Sequence, residues 1–173
     1  MAAALREGII LASITPICLC CFGRGGSNMA WNLIGSSADV LMTHQEWHKI
    51  AFNGKNEEKL RRVLVGLSRR GVKIAPGLLQ SALAPAYRDG LRKRTEAAIP
   101  LNEREQKPEA KYVVLKVMDY HLDLLPAIKS VFGEARIVVL SRGPEAQVES
   151  LLRSKLTLSQ ACRWYRNVTY RMD

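Results

Sequence analysis

Eight consecutive residues combine the types that hold phosphate: Phe22-Gly23-Arg24-Gly25-Gly26-Ser27-Asn28-Met29. Glycines let the chain take φ > 0 and let an anion reach the backbone N–H groups without a Cβ in the way. Arg24 adds a full charge, and Ser27 and Asn28 add side-chain polar groups. A helix starting here would contribute free N–H groups and the positive end of its dipole. The same residues also make an ordinary strand–turn–helix corner with a surface arginine, and a short glycine motif alone does not choose between the two. A second pair stands at Arg142 and Ser150, eight residues apart. From Pro144 to Ser150 a helix rises about 9 Å, so a strand-end arginine and a serine near the second turn can flank one anion. The planar guanidinium fork suits phosphate. Spacing alone nevertheless favours a surface arginine and a serine bonded to its own backbone. His121 is a candidate general base, since histidine titrates near neutrality; taken singly, a bonded structural histidine is the commoner case.

These residues need strands that end and helices that begin at the right places. Ile17 to Phe22 is a short apolar run bounded by proline and glycine, which reads as a buried strand. Ser27 to Ser36 reads as the helix after it, and Asp39 to Thr43 as a second strand. Asn56 to Arg70 is amphipathic, with Leu60, Val63, Leu64 and Leu67 on one face. Gly71 to Gly77 is a break. Leu78 to Ala97 reads as helical, interrupted near Pro85, with a basic run at Arg88, Arg92, Lys93 and Arg94. Ile99 to Glu109 carries two prolines and many charges and reads as a loop. Lys111 to Met118 and Ala135 to Leu140 are strong strands. Leu122 to Phe132 reads as a helix with Gly133 at its C-cap, Pro144 opens another, and Ser159 to Arg171 forms the last. Buried apolar strands alternating with helices predict a three-layer α/β fold, a parallel sheet covered on both faces. Ligands of such sheets bind at the carboxyl ends of the strands. That singles out Arg24 to Asn28, His44 to Glu46, Asp119 to His121 and Ser141 to Pro144.

At 173 residues the chain reads as a single domain, 1–173, with a loop region at 16–55, a helical insertion at 56–110 and a second site region at 111–173. A hydrophobic content of 47% and a charged content of 24% exclude a disordered chain. The net charge of +10 points to an anionic partner. Cys18, Cys20 and Cys21 lie inside the apolar run and read as small buried hydrophobes, which fits a reducing compartment. Gly8 to Phe22 is uncharged but short of the about 20 residues a membrane helix needs, and Pro16 interrupts it. It reads as a core strand rather than an anchor, so a cytoplasmic protein without a transmembrane segment is expected. His44-Gln-Glu-Trp-His48 lacks the order of a metalloprotease helix and has no third ligand, so no metal is expected. Glu46 is a second candidate base; the blander reading is a solvated turn. Arg163, Arg166 and Arg171 follow helical spacing on the last helix, but charge alone is no strong nucleic-acid signal.

Three segments in order resemble the P-loop sulfotransferases, which use 3′-phosphoadenosine-5′-phosphosulfate (PAPS). Phe-Gly-Arg-Gly-Gly-Ser-Asn resembles their 5′-phosphosulfate loop. Arg136 through Ser150, Arg-Ile-Val-Val-Leu-Ser-Arg-Gly-Pro-Glu-Ala-Gln-Val-Glu-Ser, resembles their 3′-phosphate segment. Between them, Lys116-Val-Met-Asp-Tyr-His121-Leu-Asp-Leu-Leu-Pro126 is similar to their Lys-Thr-His-Leu-Pro segment. The resemblance implies a P-loop NTPase-like sulfotransferase fold and transfer of a sulfuryl group from PAPS to a hydroxyl or amine, for example of an anionic sugar. It implies that Arg24 and the N–H groups of Gly25, Gly26, Ser27 and Asn28 hold the 5′-phosphosulfate, with Arg24 stabilising charge on the leaving oxygen. It implies that Arg142 and Ser150 bind the 3′-phosphate and that His121 accepts the proton. Gly143 stands where the family usually has Asp or Asn, and Trp31 lies two residues later than the aromatic that often stacks on adenine. No counterpart of the family's C-terminal Gly-x-x-Gly-x-x-Lys segment is found, so the expectation is a short or truncated member. A P-loop kinase or nucleotide hydrolase is disfavoured because no Gly-Lys-Ser/Thr follows the loop. A catalytically inactive, sulfotransferase-like binding module is the third reading.

Overall fold

The computed structural model describes residues 14–52, 55–70, 72 and 85–172. The chain alternates strands and helices as the apolar runs require. β1 (Thr15–Cys21) leads through α1 (Ser27–Gly35) to β2 (Val40–Met42). There follow α2 (Trp47–Ala51), α3 (Lys55–Arg69), α4 (Pro85–Ala97) and α5 (Leu101–Gln106). β3 (Tyr112–Met118) runs into a 3₁₀ turn (Asp119–Leu124) and α6 (Leu125–Phe132). β4 (Arg136–Leu140), α7 (Pro144–Leu152) and α8 (Leu158–Met172) complete the described part.

The four strands form one all-parallel sheet in the order β2-β3-β1-β4. β1 is central, and its register sets Cys21 opposite Met118 on one side and Leu140 on the other. Three strands therefore stop at the same level, and the segments starting at Phe22, Asp119 and Ser141 emerge side by side. β1 sends the chain across β3 to β2, whereas β3 sends it across β1 to β4. Neighbouring strands whose connections leave in opposite directions open a crevice at their carboxyl ends.

Alternate residues of the strands face two different helix layers. Cys18, Cys20, Phe22, Val113, Leu115 and Val117 pack with Trp47, Ile50, Leu91, Ile128 and Val168, drawn from α2, α4, α6 and α8. Leu19 and Val114 face the other way, against Ala30, Trp31 and Ile34 of α1. Each fully buried side chain of this size stabilises the fold by about 1.5–3 kcal/mol. α1 lies close on β2: a Cβ at Gly35 would run into Met42. Burial pushes the thiols of Cys18 and Cys20 up to about 12 and that of Cys21 to about 11.

Three expectations need correction. Ile99 to Glu109 is not all loop, because Leu101–Gln106 forms a helix. Pro100 sits at its N-cap, where no N–H is needed, Glu103 lies in its first turn, and Lys107 pairs with Glu103 at 3.0 Å. The helix expected over Leu122 to Phe132 is tightened to 3₁₀ up to Leu124, and Gly133 closes it at φ 81°. β4 is not a buried strand: Ile137, Val138 and Val139 are exposed. The expected segments 71, 73–84 and 1–13 lie outside the described residues. No described helix is long and apolar enough to cross a membrane.

Candidate functional site

The glycine turn sits directly on the carboxyl end of β1. Phe22 is buried and stacks on Tyr165 of α8, with ring centroids 5.3 Å apart. The Gly25 N–H donates back to the Phe22 carbonyl at 3.2 Å, which folds the loop over the strand end. The turn passes through two left-handed residues, Arg24 at φ 67° and Gly26 at φ 84°. Gly26 takes this conformation without strain; Arg24 holds it with a Cβ. At Gly25 a Cβ would stand 3.2 Å from the Phe22 carbonyl and 3.4 Å from Gln147 Oε1, so a larger residue there would have to push its neighbours back by a few tenths of an ångström. α1 then starts with Gly26 as N-cap, with no side-chain cap and no acidic residue in its first turn. Its leading N–H groups and dipole are thus left for an anion.

The second arginine reaches the same place. Arg142, just past β4, donates from Nη1 to the Arg24 carbonyl at 3.2 Å. The Tyr165 hydroxyl donates to the Arg142 carbonyl at 3.4 Å. Gln147 is fully buried and donates from Nε2 to the Gly23 carbonyl at 2.8 Å, tying α7 to the turn. Ser150 is half-buried on α7, and its carbonyl accepts from Ser154. The structure therefore joins Arg24, Gly25, Gly26 and Arg142 in one rim, with Ser150 on the helix fastened to it. Ser27 is buried beneath the turn beside the Cys21 thiol. Asn28 is exposed, but its Oδ1 accepts from Lys116 Nζ at 2.5 Å.

Beside the turn lies a cavity of about 580 Å³ whose lining includes Gly23, Arg24, Asp119, Arg163, Trp164 and Asn167. The Asp119 carboxylate is buried and accepts through Oδ2 from the Gly23 N–H at 3.3 Å and the Trp164 indole N–H at 3.0 Å. Sequence reasoning reached Asp119 only as part of a strand-end segment and missed Gln147 and Trp164. A carboxylate directly after a buried strand was the available signal for Asp119; nothing local marks the other two.

His121 is not on this cavity. It is 0% exposed and stacks on His48 at 4.5 Å between ring centroids, with Phe52 at 6.2 Å. Burial, helped by neighbouring His48, holds it down at about 2, so it is neutral at physiological pH. Its partner His48 is also pushed down by burial, against the pull of Glu46, which lies 3.7 Å away. Glu46 is no solvated turn residue. Lys116, 4% exposed, donates to it at 2.9 Å and lies over the Trp31 ring at 5.4 Å. Burial works to raise the Glu46 pKa, but the hydrogen bond and charge of Lys116 prevail and hold it below its usual value. His44 donates from Nδ1 to the Ala98 carbonyl at 2.5 Å. Among the described residues, no three His, Cys, Asp or Glu side chains are grouped to hold a metal ion.

Comparison with protein-family models, with curated proteins and with solved structures returned no match.

Proposed function

We propose that this chain is a sulfotransferase-type domain that binds PAPS and passes its sulfuryl group to a hydroxyl or amine acceptor. The observation that carries the reading is the hydrogen bond from Arg142 to the Arg24 carbonyl. It brings two guanidinium-bearing strand ends, 118 residues apart in sequence, onto one glycine turn. In this reading the N–H groups of Gly25 to Asn28 and the Arg24 guanidinium hold the 5′-phosphosulfate, and Arg142 with Ser150 holds the 3′-phosphate. The acceptor oxygen or nitrogen attacks sulfur, the bond from sulfur to the 5′-phosphate oxygen breaks, and adenosine 3′,5′-bisphosphate leaves. Arg24 stabilises the charge that develops on the leaving oxygen, and the fixed N–H groups need no reorganisation to help it. Asp119 rather than His121 shares the cavity with Arg24, so the acceptor's proton is assigned to Asp119.

Titration calorimetry with adenosine 3′,5′-bisphosphate, and separately with ATP and Mg²⁺, tests the reading. Binding of the bisphosphate in preference to ATP supports it. No binding of the bisphosphate to the wild-type chain overturns it, and preferred Mg²⁺-dependent ATP binding puts a kinase or hydrolase in its place. The proton assignment has its own check: Asp119→Asn lowers sulfuryl transfer while bisphosphate binding is kept, and His121→Gln lowers it much less.

A further inference from the structure

β4 departs from the rule the other strands obey. Ile137, Val138 and Val139 are 58%, 41% and 47% exposed, although they alternate between the two faces of the sheet. β4 pairs with β1 in an unbroken register, and no described strand pairs with its outer edge. β4 has no proline, no lysine and no bulge to blunt its outer edge. Its one charge, Arg136, is exposed and leans across β1, away from the outer edge, with the guanidinium 4.7 Å from the Tyr112 ring centroid on β3. What remains outward is an apolar strand ready to pair.

We infer that a second copy of this chain covers the edge, β4 against β4, antiparallel across a two-fold axis. The register follows from parity and charge. In a strand, the N–H and C=O of one residue point to one side and those of the next to the other. Strands related by a two-fold can therefore exchange bonds only if the axis passes through a residue pair, not between pairs. Centring on Val139 sets Arg136 against Arg142, two like charges. Centring on Ile137 sets Glu134 against Leu140 and leaves both charges unmatched. Centring on Val138 sets Ile137 against Val139, Arg136 against Leu140, and Glu134 against Arg142. Glu134 and Arg142 are both exposed, so this register closes apolar pairs at the middle and opposite charges at each end. The contact is isologous, as a closed dimer requires, and joins two four-stranded sheets into one of eight.

The test is the mass in solution of the full chain by light scattering across a concentration series. The wild type approaches twice the chain mass as concentration rises. Val138→Lys places two ammonium groups on the axis and weakens the dimer at least about tenfold, while circular dichroism shows the fold retained. Glu134→Arg weakens it too, and adding Arg142→Glu to that variant restores it. A wild type that stays monomeric up to its highest soluble concentration overturns the inference. So does a dimer indifferent to Val138→Lys, or a charge swap that fails to restore what Glu134→Arg lost.

Discussion

Two groups of charged and polar side chains flank the glycine turn, and they are built in opposite ways. On the outside, Arg24 and Arg142 are exposed, the Arg142 guanidinium donates to the Arg24 carbonyl, and among the described residues of one chain no acid pairs with either. On the inside, Lys116 is buried and already neutralised by Glu46, with His48 and His121 stacked behind it. In the proposed function the outer group meets the ligand, whereas the inner one links α1, α2 and β3. The same residue types thus serve binding or stability according to whether another part of the chain has met their charge. Variants of the inner group should cost stability, and variants of the rim should cost affinity.

The largest effect is expected inside. Glu46→Leu leaves the Lys116 ammonium buried beside a single amide oxygen. Removing one partner of a fully buried pair costs 3–5 kcal/mol; with Glu46 partly exposed, about 3 kcal/mol is expected, read as a lowered urea midpoint. Acid probes the same group. His121 has an unfolded pKa of 6.5 and a folded one of about 2, so the unfolded chain binds the extra proton first. Stability is then full above pH 6.5 and falls as pH drops from there towards 2, by about 2 kcal/mol at pH 5. Glu46, held below its usual 4.5, adds its own loss only under more acid conditions. Thermal unfolding between pH 8 and pH 5 should show this slope, and His121→Gln should flatten it.

On the rim the order reverses. Arg142→Ala is expected to weaken binding of adenosine 3′,5′-bisphosphate at least about tenfold, the factor set by 1.4 kcal/mol, while the urea midpoint moves within about 0.5 kcal/mol. Arg24→Gly should lose comparable affinity with little change in stability, because glycine relieves the left-handed backbone there as it loosens the unfolded chain. Ser150→Ala removes one hydroxyl and should weaken binding about fivefold, which calorimetry resolves. If rim and inner variants shifted midpoint and affinity alike, the division between the two groups would fail.

Much of the fold was legible because burial and periodicity coincide. The runs Ile-Cys-Leu-Cys-Cys and Tyr-Val-Val-Leu are apolar and flanked by breakers, and both became central strands. Arg-Ile-Val-Val-Leu reads the same way yet lies exposed at the sheet edge, since a local pattern carries no information about neighbours. The short helix at Leu101–Gln106 was hidden by its charges, which stabilise it through capping and an i,i+4 pair rather than through an apolar face. At the candidate site, the glycines and the strand-end arginine were visible as residue types after apolar runs, although spacing alone did not choose a role for them. His121 follows a strand as Arg142 does, but the 3₁₀ turn rotates it into the core. The links among Asp119, Trp164, Gln147 and the turn connect residues far apart in sequence, and only the packed chain shows them.

The three cysteines of β1 have a chemical consequence of their own. The thiolate is the reactive form, and Cys18, Cys20 and Cys21 are at most 1% exposed with thiols held at about 11 to 12. Cys162, on the outer face of α8, has no such shelter. An alkylating reagent therefore meets one cysteine at once and the other three only when the central strand leaves the sheet. That strand carries the glycine turn, so the slow labelling phase is a clock for the openings that would dismantle the site.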